Sequence, residues 1–97
     1  MPCTVILEVK AKPGTGNDIV ATFKSILGDT RAYDGCTGVD VYQNSDEPEV
    51  VVLVEKWESR GQYEKYLGWR QETGFVDELV AAIDGPPSIR YFDLTDA

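Results

Sequence analysis

Tyrosine and arginine side chains on a predicted helix offer the most direct chemistry in this sequence. Tyr66 and Arg70 are four residues apart, so their side chains share one face of a helix. If that face borders a cleft, a phenol hydroxyl and a guanidinium converge on one ligand oxygen, and the two residues form the predicted catalytic pair. The alternative is that Arg70 pairs with Glu64 or Glu72 on the solvated surface.

An aromatic ligand also needs an apolar cleft and a group that stabilises an anion. The candidates for substrate binding are aromatic and basic residues near the predicted cleft and one acid near the end of a hydrophobic strand, namely Arg31, Tyr42, Glu55, Trp57, Tyr63, Trp69, Arg90 and Tyr91. The alternative for each aromatic residue is a place in the core. For Glu55 it is a structural ion pair with an arginine such as Arg31 or Arg90.

Composition excludes several other kinds of chemistry. The 97 residues include no histidine, which removes Ser-His-Asp and Cys-His nucleophiles and the usual nitrogen ligands of zinc and haem iron. The net charge of -8 and the scattered basic residues argue against a nucleic-acid partner. Cys3 and Cys36 are predicted to be reduced. We therefore expect no metal site and no cofactor.

The chain lacks a signal-peptide pattern and any apolar stretch approaching the ~18 residues of a membrane span. These features predict a cytoplasmic protein with no membrane partner. The length predicts one domain over residues 1–97.

Hydrophobic periodicity predicts the elements that position these side chains. Strands are expected at residues 3–10, 39–44, 50–57 and 88–94. One helix should start near Thr15 or Asn17 and end between Gly28 and Ala32. A second helical region should start at Ser59, with Gln62 completing a capping box, and be kinked or split before Asp84. The order is βαββαβ.

This order predicts a ferredoxin-like α+β fold, in which helices cover one face of a four-stranded antiparallel sheet. The strand at 50–57 is apolar on both faces, although the chain has helices for only one layer. Because an exposed apolar sheet face usually has a partner, we expect a homodimer formed by sheet-to-sheet packing.

Four short motifs resemble the antibiotic biosynthesis monooxygenase (ABM) domain. They are Lys-Pro-Gly at 12–14, Thr-Arg-Ala at 30–32, Asp-Gly-Cys at 34–36 and Glu-Lys-Trp-Glu-Ser at 55–59, and the likeness covers nearly the whole chain. The resemblance implies a dimeric α+β barrel. Some members of this family oxygenate polycyclic phenols or quinols with dioxygen and no metal or flavin.

The missing histidine separates this sequence from parts of that family. The haem-degrading branch needs a histidine as iron ligand. Many other members carry one in the second helix, where this chain has Tyr63, Tyr66 and Trp69. The resemblance therefore implies a cofactor-independent monooxygenase acting on a small aromatic phenol or quinol. The alternative is a non-catalytic dimeric module that binds a small ligand or serves as an accessory protein.

Overall fold

A computed structural model describes residues 2–97 and has the predicted βαββαβ order, with the second helical region in two pieces. The elements are β1 (Cys3–Lys10), α1 (Gly16–Ala32), β2 (Cys36–Gln43), β3 (Val50–Trp57), α2 (Arg60–Glu72), α3 (Phe75–Ala82) and β4 (Ser88–Phe92). The sheet order is β2-β3-β1-β4, and all neighbouring strands are antiparallel. This arrangement confirms the ferredoxin-like α+β fold.

Alternation along the two central strands sorts their side chains between the two faces of the sheet. In β1 the odd-numbered residues are buried, and in β3 Val51, Leu53, Glu55 and Trp57 are buried. These side chains point toward the helices because residues two apart in a strand share a face. Residues of even number point to the opposite side, which we call the open face.

The helix α1 forms because apolar side chains recur at helical spacing. Ile19, Phe23 and Leu27 are buried against the sheet. Helix α1 runs to Ala32, the later of the two predicted ends.

The split between α2 and α3 follows from capping and from one glycine. The Ser59 hydroxyl accepts a hydrogen bond from the Gln62 backbone N–H at 3.2 Å, which is one half of the predicted capping box. The Gln62 side chain bonds the Ser59 hydroxyl at 3.1 Å instead of the Ser59 backbone N–H that the other half requires. Gly74 then adopts φ of 84°, a left-handed conformation that glycine reaches without the steric cost of a side chain. The chain changes direction there, and α3 starts as a separate helix.

Two predicted strand boundaries were wrong by a few residues. β2 starts at Cys36 instead of Val39, because a register irregularity between Cys36 and Gly38 lets the residues before Val39 join the sheet. β4 ends at Phe92.

Both thiols are free, as predicted. Cys3 and Cys36 each pair with Trp57 from opposite sides, which puts them two strands apart, about 10 Å. That separation is too long for a disulfide without backbone movement.

The open face carries an apolar centre with a charged rim. Ile6 and Tyr42 flank β3, where they face Val54 and Val52 respectively. Glu8 on the central strand β1 and Arg90 on the edge strand β4 form an exposed ion pair at 3.8 Å on this face. No helix within residues 2–97 is long and apolar enough to cross a membrane.

Candidate active site

A cavity of about 60 Å³ lies between the helix-covered face of the sheet and the three helices. Apart from the half-buried Ile26 on α1, its deeper wall consists of buried side chains. Five other apolar residues that are only half-buried lie where α2, α3 and β4 meet: Leu67, Phe75, Val76, Pro87 and Ile89. We call these five residues the mouth of the cavity. The four predicted site residues that line the cavity are Glu55, Tyr63, Tyr66 and Arg70.

Glu55 is the unusual residue of this cavity. It lies on the central strand β3 and is only 3% exposed. Its Oε1 accepts a hydrogen bond from the Trp57 indole N–H at 3.2 Å, which follows from their two-residue spacing on one face. Within residues 2–97 it forms no ion pair, so the predicted partnership with Arg31 or Arg90 was wrong.

Burial controls the acidity of this carboxyl group. Desolvation raises the pKa of Glu55 from 4.5 to about 7, while the Trp57 hydrogen bond and the positive charge of Arg70 oppose the rise. A carboxyl group with a pKa near neutrality exists in both protonation states at physiological pH. It can therefore take up and release a proton during a reaction.

Arg70 is buried and anchored to α1. Its Nε donates to the Tyr66 hydroxyl at 2.8 Å, and its Nη2 donates to the Ile26 carbonyl at 2.9 Å and to Thr30 Oγ1 at 3.0 Å. At 7% exposure it pairs with neither Glu64 nor Glu72, so the surface alternative was wrong. The network fixes α2 against α1 with the guanidinium at the cavity wall.

The Tyr66 hydroxyl is shared between two partners. It lies 2.6 Å from Thr30 Oγ1 as well as 2.8 Å from Arg70 Nε. Burial raises the pKa of Tyr66, although the hydrogen bonds from Thr30 and Arg70 act in the opposite direction. Burial also raises the pKa of Tyr63. Both phenols are therefore neutral at physiological pH.

Thr30 was not among the predicted site residues. It is completely buried, and its hydroxyl connects Tyr66 with Arg70. The signal was available in the sequence: Thr30 follows Phe23 and Leu27 at seven- and three-residue spacings, so it is a polar residue on the apolar stripe of α1. Such a residue requires a buried partner.

Two predicted binding residues contribute to the aromatic packing next to the cavity without lining it. Trp57 is buried, and its ring centroid lies 5.1 Å from that of Tyr66. Trp69 stacks on Tyr33 at 5.4 Å and lies beneath the Arg70 guanidinium at 4.6 Å. These contacts make them packing residues of this site, the alternative considered for each aromatic side chain.

The remaining four predicted binding residues lie elsewhere. Tyr42 and Arg90 are exposed on the open face, because their strand positions have the opposite parity. Arg31 donates to the Val39 carbonyl at 2.9 Å, beside β2. The Tyr91 ring lies under the Arg60 guanidinium at 3.7 Å, near the start of α2. None of the four contributes to the cavity wall.

The described part of the chain, residues 2–97, contains no group of three or more cysteine, aspartate or glutamate side chains that could hold a metal ion. The site therefore consists of one buried acid, a buried arginine network and apolar walls.

Comparison with known proteins agrees with this architecture. The family model for antibiotic biosynthesis monooxygenase matches residues 2–78. The chain belongs to this family. A relative named "Putative monooxygenase Rv0793", from Mycobacterium tuberculosis, is 30% identical over 79 residues, which cover 75% of this chain and 77% of the relative. At the level of the family, the chain is thus related to monooxygenases.

Solved structures confirm the fold of this ABM domain. The structure of Rv0793 aligns with a TM-score of 0.86 and 23% identity, covering 100% of this chain and 98% of that protein. A conserved protein from Methanosarcina mazei Go1 aligns with a TM-score of 0.83 and 21% identity, covering 95% of this chain and 91% of that one.

Proposed function

We propose that this ABM protein oxygenates a small electron-rich aromatic molecule, a phenol or quinol, at the cavity beside Glu55, without a cofactor of its own. One observation supports this most strongly: a buried carboxyl group that has no ion-pair partner in the described part of the chain lines a largely apolar cavity. Buried acids are costly to retain for stability alone, and they concentrate at functional sites. Membership of a monooxygenase family supports the reaction type.

The proposed reaction starts with transfer of the substrate's O–H proton to the Glu55 carboxylate. The resulting anion is electron-rich enough to reduce dioxygen, so the substrate itself supplies the electrons. For a quinol, one oxygen atom enters the ring, and the other leaves as water with two hydrogens from the substrate. The product is a hydroxyquinone, and the four electrons that reduce dioxygen all come from the quinol.

Arg70 supplies positive charge to this step. Its hydrogen bonds to α1 fix the guanidinium at the cavity wall, where it favours anions formed nearby. Tyr66 acts as a positioning residue, because its hydroxyl is already shared between Thr30 and Arg70.

The size of the cavity indicates where the ring binds. A volume of about 60 Å³ is less than half of the roughly 150 Å³ that accommodates benzene in an engineered protein cavity. We therefore propose that the ring packs on the mouth, with its hydroxyl directed inward. Half-buried apolar side chains at the mouth offer the contact that an aromatic ring requires.

Oxygen consumption tests this function directly. Purified protein is supplied with a panel of hydroquinones and anthrones, and dioxygen uptake is recorded beside product mass. We expect uptake above the buffer rate, with one atom of ¹⁸O from labelled dioxygen in the product. Uptake at the buffer rate for every compound would reject the reaction for these substrates.

The small volume also favours a second function, that of a non-catalytic dimeric module that binds a small ligand. Tyr66 and Arg70 are already hydrogen-bonded within the protein, which agrees with a structural role for both side chains. Saturable binding of a panel compound by calorimetry, with no dioxygen uptake, would favour this alternative.

We further propose a homodimer in which the open faces of two sheets pack together. The apolar centre formed by Ile6, Val52 and Val54 supports this, because soluble proteins seldom expose such a surface. Light scattering after size exclusion should give about twice 10.7 kDa. Val54→Arg should give the monomer, whereas Lys65→Glu, on the surface of α2, should remain dimeric. A wild-type monomer at micromolar concentration would contradict the proposal.

A further inference from the structure

We infer that the cavity beside Glu55 binds a small apolar gas molecule, dioxygen, as a subsite separate from the mouth that receives the aromatic ring. This inference rests on the proposed function for its role in the reaction. The binding itself depends only on the cavity, and its test requires no turnover.

The volume sets the size of the ligand. About 60 Å³ is room for two water-sized molecules or one diatomic gas, but not for a benzene ring. The buried walls provide dispersion contacts on several sides, from Leu7 and Leu53 on the sheet and from Phe23, Leu27 and Leu79 on the helices. A nonpolar molecule of this size therefore fits without moving the backbone.

The polar atoms of the wall favour a nonpolar occupant over a full set of waters. A buried water typically needs two to four hydrogen-bonding partners. The Tyr66 hydroxyl and the Nε and Nη2 atoms of Arg70 are already hydrogen-bonded within the protein. One oxygen of Glu55 is bonded to Trp57. Within residues 2–97 no hydrogen bond is found for the other Glu55 oxygen or for Arg70 Nη1, and these two atoms are fewer than two waters require.

The location suits the chemistry of dioxygen reduction. Electron transfer from the substrate anion converts dioxygen into an anion, and this negative charge would develop between Glu55 and Arg70. Protonation of Glu55 by the substrate removes the negative charge that would repel the reduced oxygen. The Arg70 guanidinium then stabilises it electrostatically. Dioxygen bound in the cavity would also lie next to the ring carbon atoms of a substrate that is bound at the mouth.

Xenon is the probe for this site, because it is a nonpolar atom that apolar protein cavities bind. A crystal pressurised with xenon should show a xenon peak in contact with Leu53 and Leu79. Leu79→Trp places a larger ring in the cavity and should abolish the peak. Val80→Trp, next along α3 but 46% exposed, is the matched control and should retain it. No xenon in the wild-type cavity, or waters that persist there under xenon, would overturn the inference.

Steady-state kinetics give the second measurement. In Leu79→Trp we expect the KM for dioxygen to rise about tenfold or more, while the KM for the aromatic substrate stays within about twofold. A substrate ring located inside the cavity in a soaked crystal would overturn the separation of the two subsites. Xenon in the cavity of a protein that oxidises none of the aromatic compounds would support the gas site while the oxygenase proposal fails.

Discussion

The two faces of the sheet give glutamate side chains opposite environments. Glu8 on β1 and Glu55 on β3 lie on neighbouring central strands, but their positions have opposite parity. Glu8 is exposed on the open face and lies 3.8 Å from Arg90, whereas Glu55 is buried and has no ion-pair partner among residues 2–97. The face on which a glutamate lies therefore decides whether its carboxyl group is hydrated or buried. A shift of one residue along the strand would move the side chain to the opposite face.

The environments of Glu8 and Glu55 differ more in solvation than in the neighbouring positive charge. Glu8 stays in contact with water beside the exposed Arg90 guanidinium, where an ion pair contributes little. Around Glu55 the apolar wall removes water, and the Arg70 guanidinium is hydrogen-bonded to α1 and Tyr66 and not to this carboxyl group. The helix-covered face can therefore hold a proton-transfer group, and the open face is suited to contact with a second copy.

Removing Arg70 should have the largest effect on the helix-covered face. Arg70→Ala removes the buried hydrogen bonds to Tyr66, Thr30 and the Ile26 carbonyl, although Thr30 and Tyr66 still bond each other, so we expect a loss of about 2–4 kcal/mol in the free energy of unfolding. It should also raise the pKa of Glu55 above about 7, because the charge of Arg70 opposes the rise caused by burial. Urea denaturation measures the first effect. Lys65→Ala, on the exposed side of α2, is the control and should cost less than about 0.5 kcal/mol.

Loss of the Glu55 carboxyl group should reduce catalysis strongly. Glu55→Gln keeps the size of the side chain but cannot accept the substrate proton, so we expect kcat to fall about 100-fold or more. Glu64→Gln, on the surface of α2, should retain the wild-type rate. Dioxygen uptake with the best substrate of the panel measures both. If Glu55→Gln retained full kcat, the substrate proton would be transferred to another group. The burial of Glu55 would then have no role in catalysis.

The same substitution should alter the pH dependence of stability. Folding raises the pKa of Glu55 from 4.5 to about 7, so the folded state holds a proton that the unfolded state loses between these values. The wild-type protein therefore loses up to about 3 kcal/mol of stability as pH rises through this interval. Glutamine does not titrate. The stability of Glu55→Gln relative to wild type should rise by about 1–3 kcal/mol between pH 4 and pH 8.

Denaturation of both proteins at each pH checks this difference. Other titrating groups are common to the two chains and cancel. A constant difference across the interval would show that Glu55 has equal acidity in both states, and burial would then not be what distinguishes the two glutamates.

Strand periodicity was sufficient to predict the fold. Residues 3–10 and 50–57 alternate or remain apolar over eight positions, and these bounds were confirmed. The split of the second helical region was also predicted, and it falls at Gly74. The β2 boundary was missed because a turn-like sequence joins the sheet through an irregular register.

The site was less accessible to sequence reasoning, because cavity walls depend on contacts between distant elements. Four candidates line the cavity, and the Tyr66 and Arg70 pair does share a helix face. The placement of Tyr42 and Arg90 in the same cleft was wrong, although strand parity alone separates Tyr42 from Val39 and Val41. Thr30 was missed because its partners come from α2, 36 and 40 residues later.

The smallest effect is expected for the glutamate of the open face. Glu8→Gln removes an exposed ion pair whose two side chains are each about half exposed, so the free energy of unfolding should change by less than about 0.5 kcal/mol. The change should shrink further in 1 M salt, where exposed charges are screened. Urea denaturation at two protein concentrations measures it. A loss above about 1 kcal/mol that grows with protein concentration would mean that the partner subunit covers the rim of this face, so that Glu8, like Glu55, is desolvated in the working assembly.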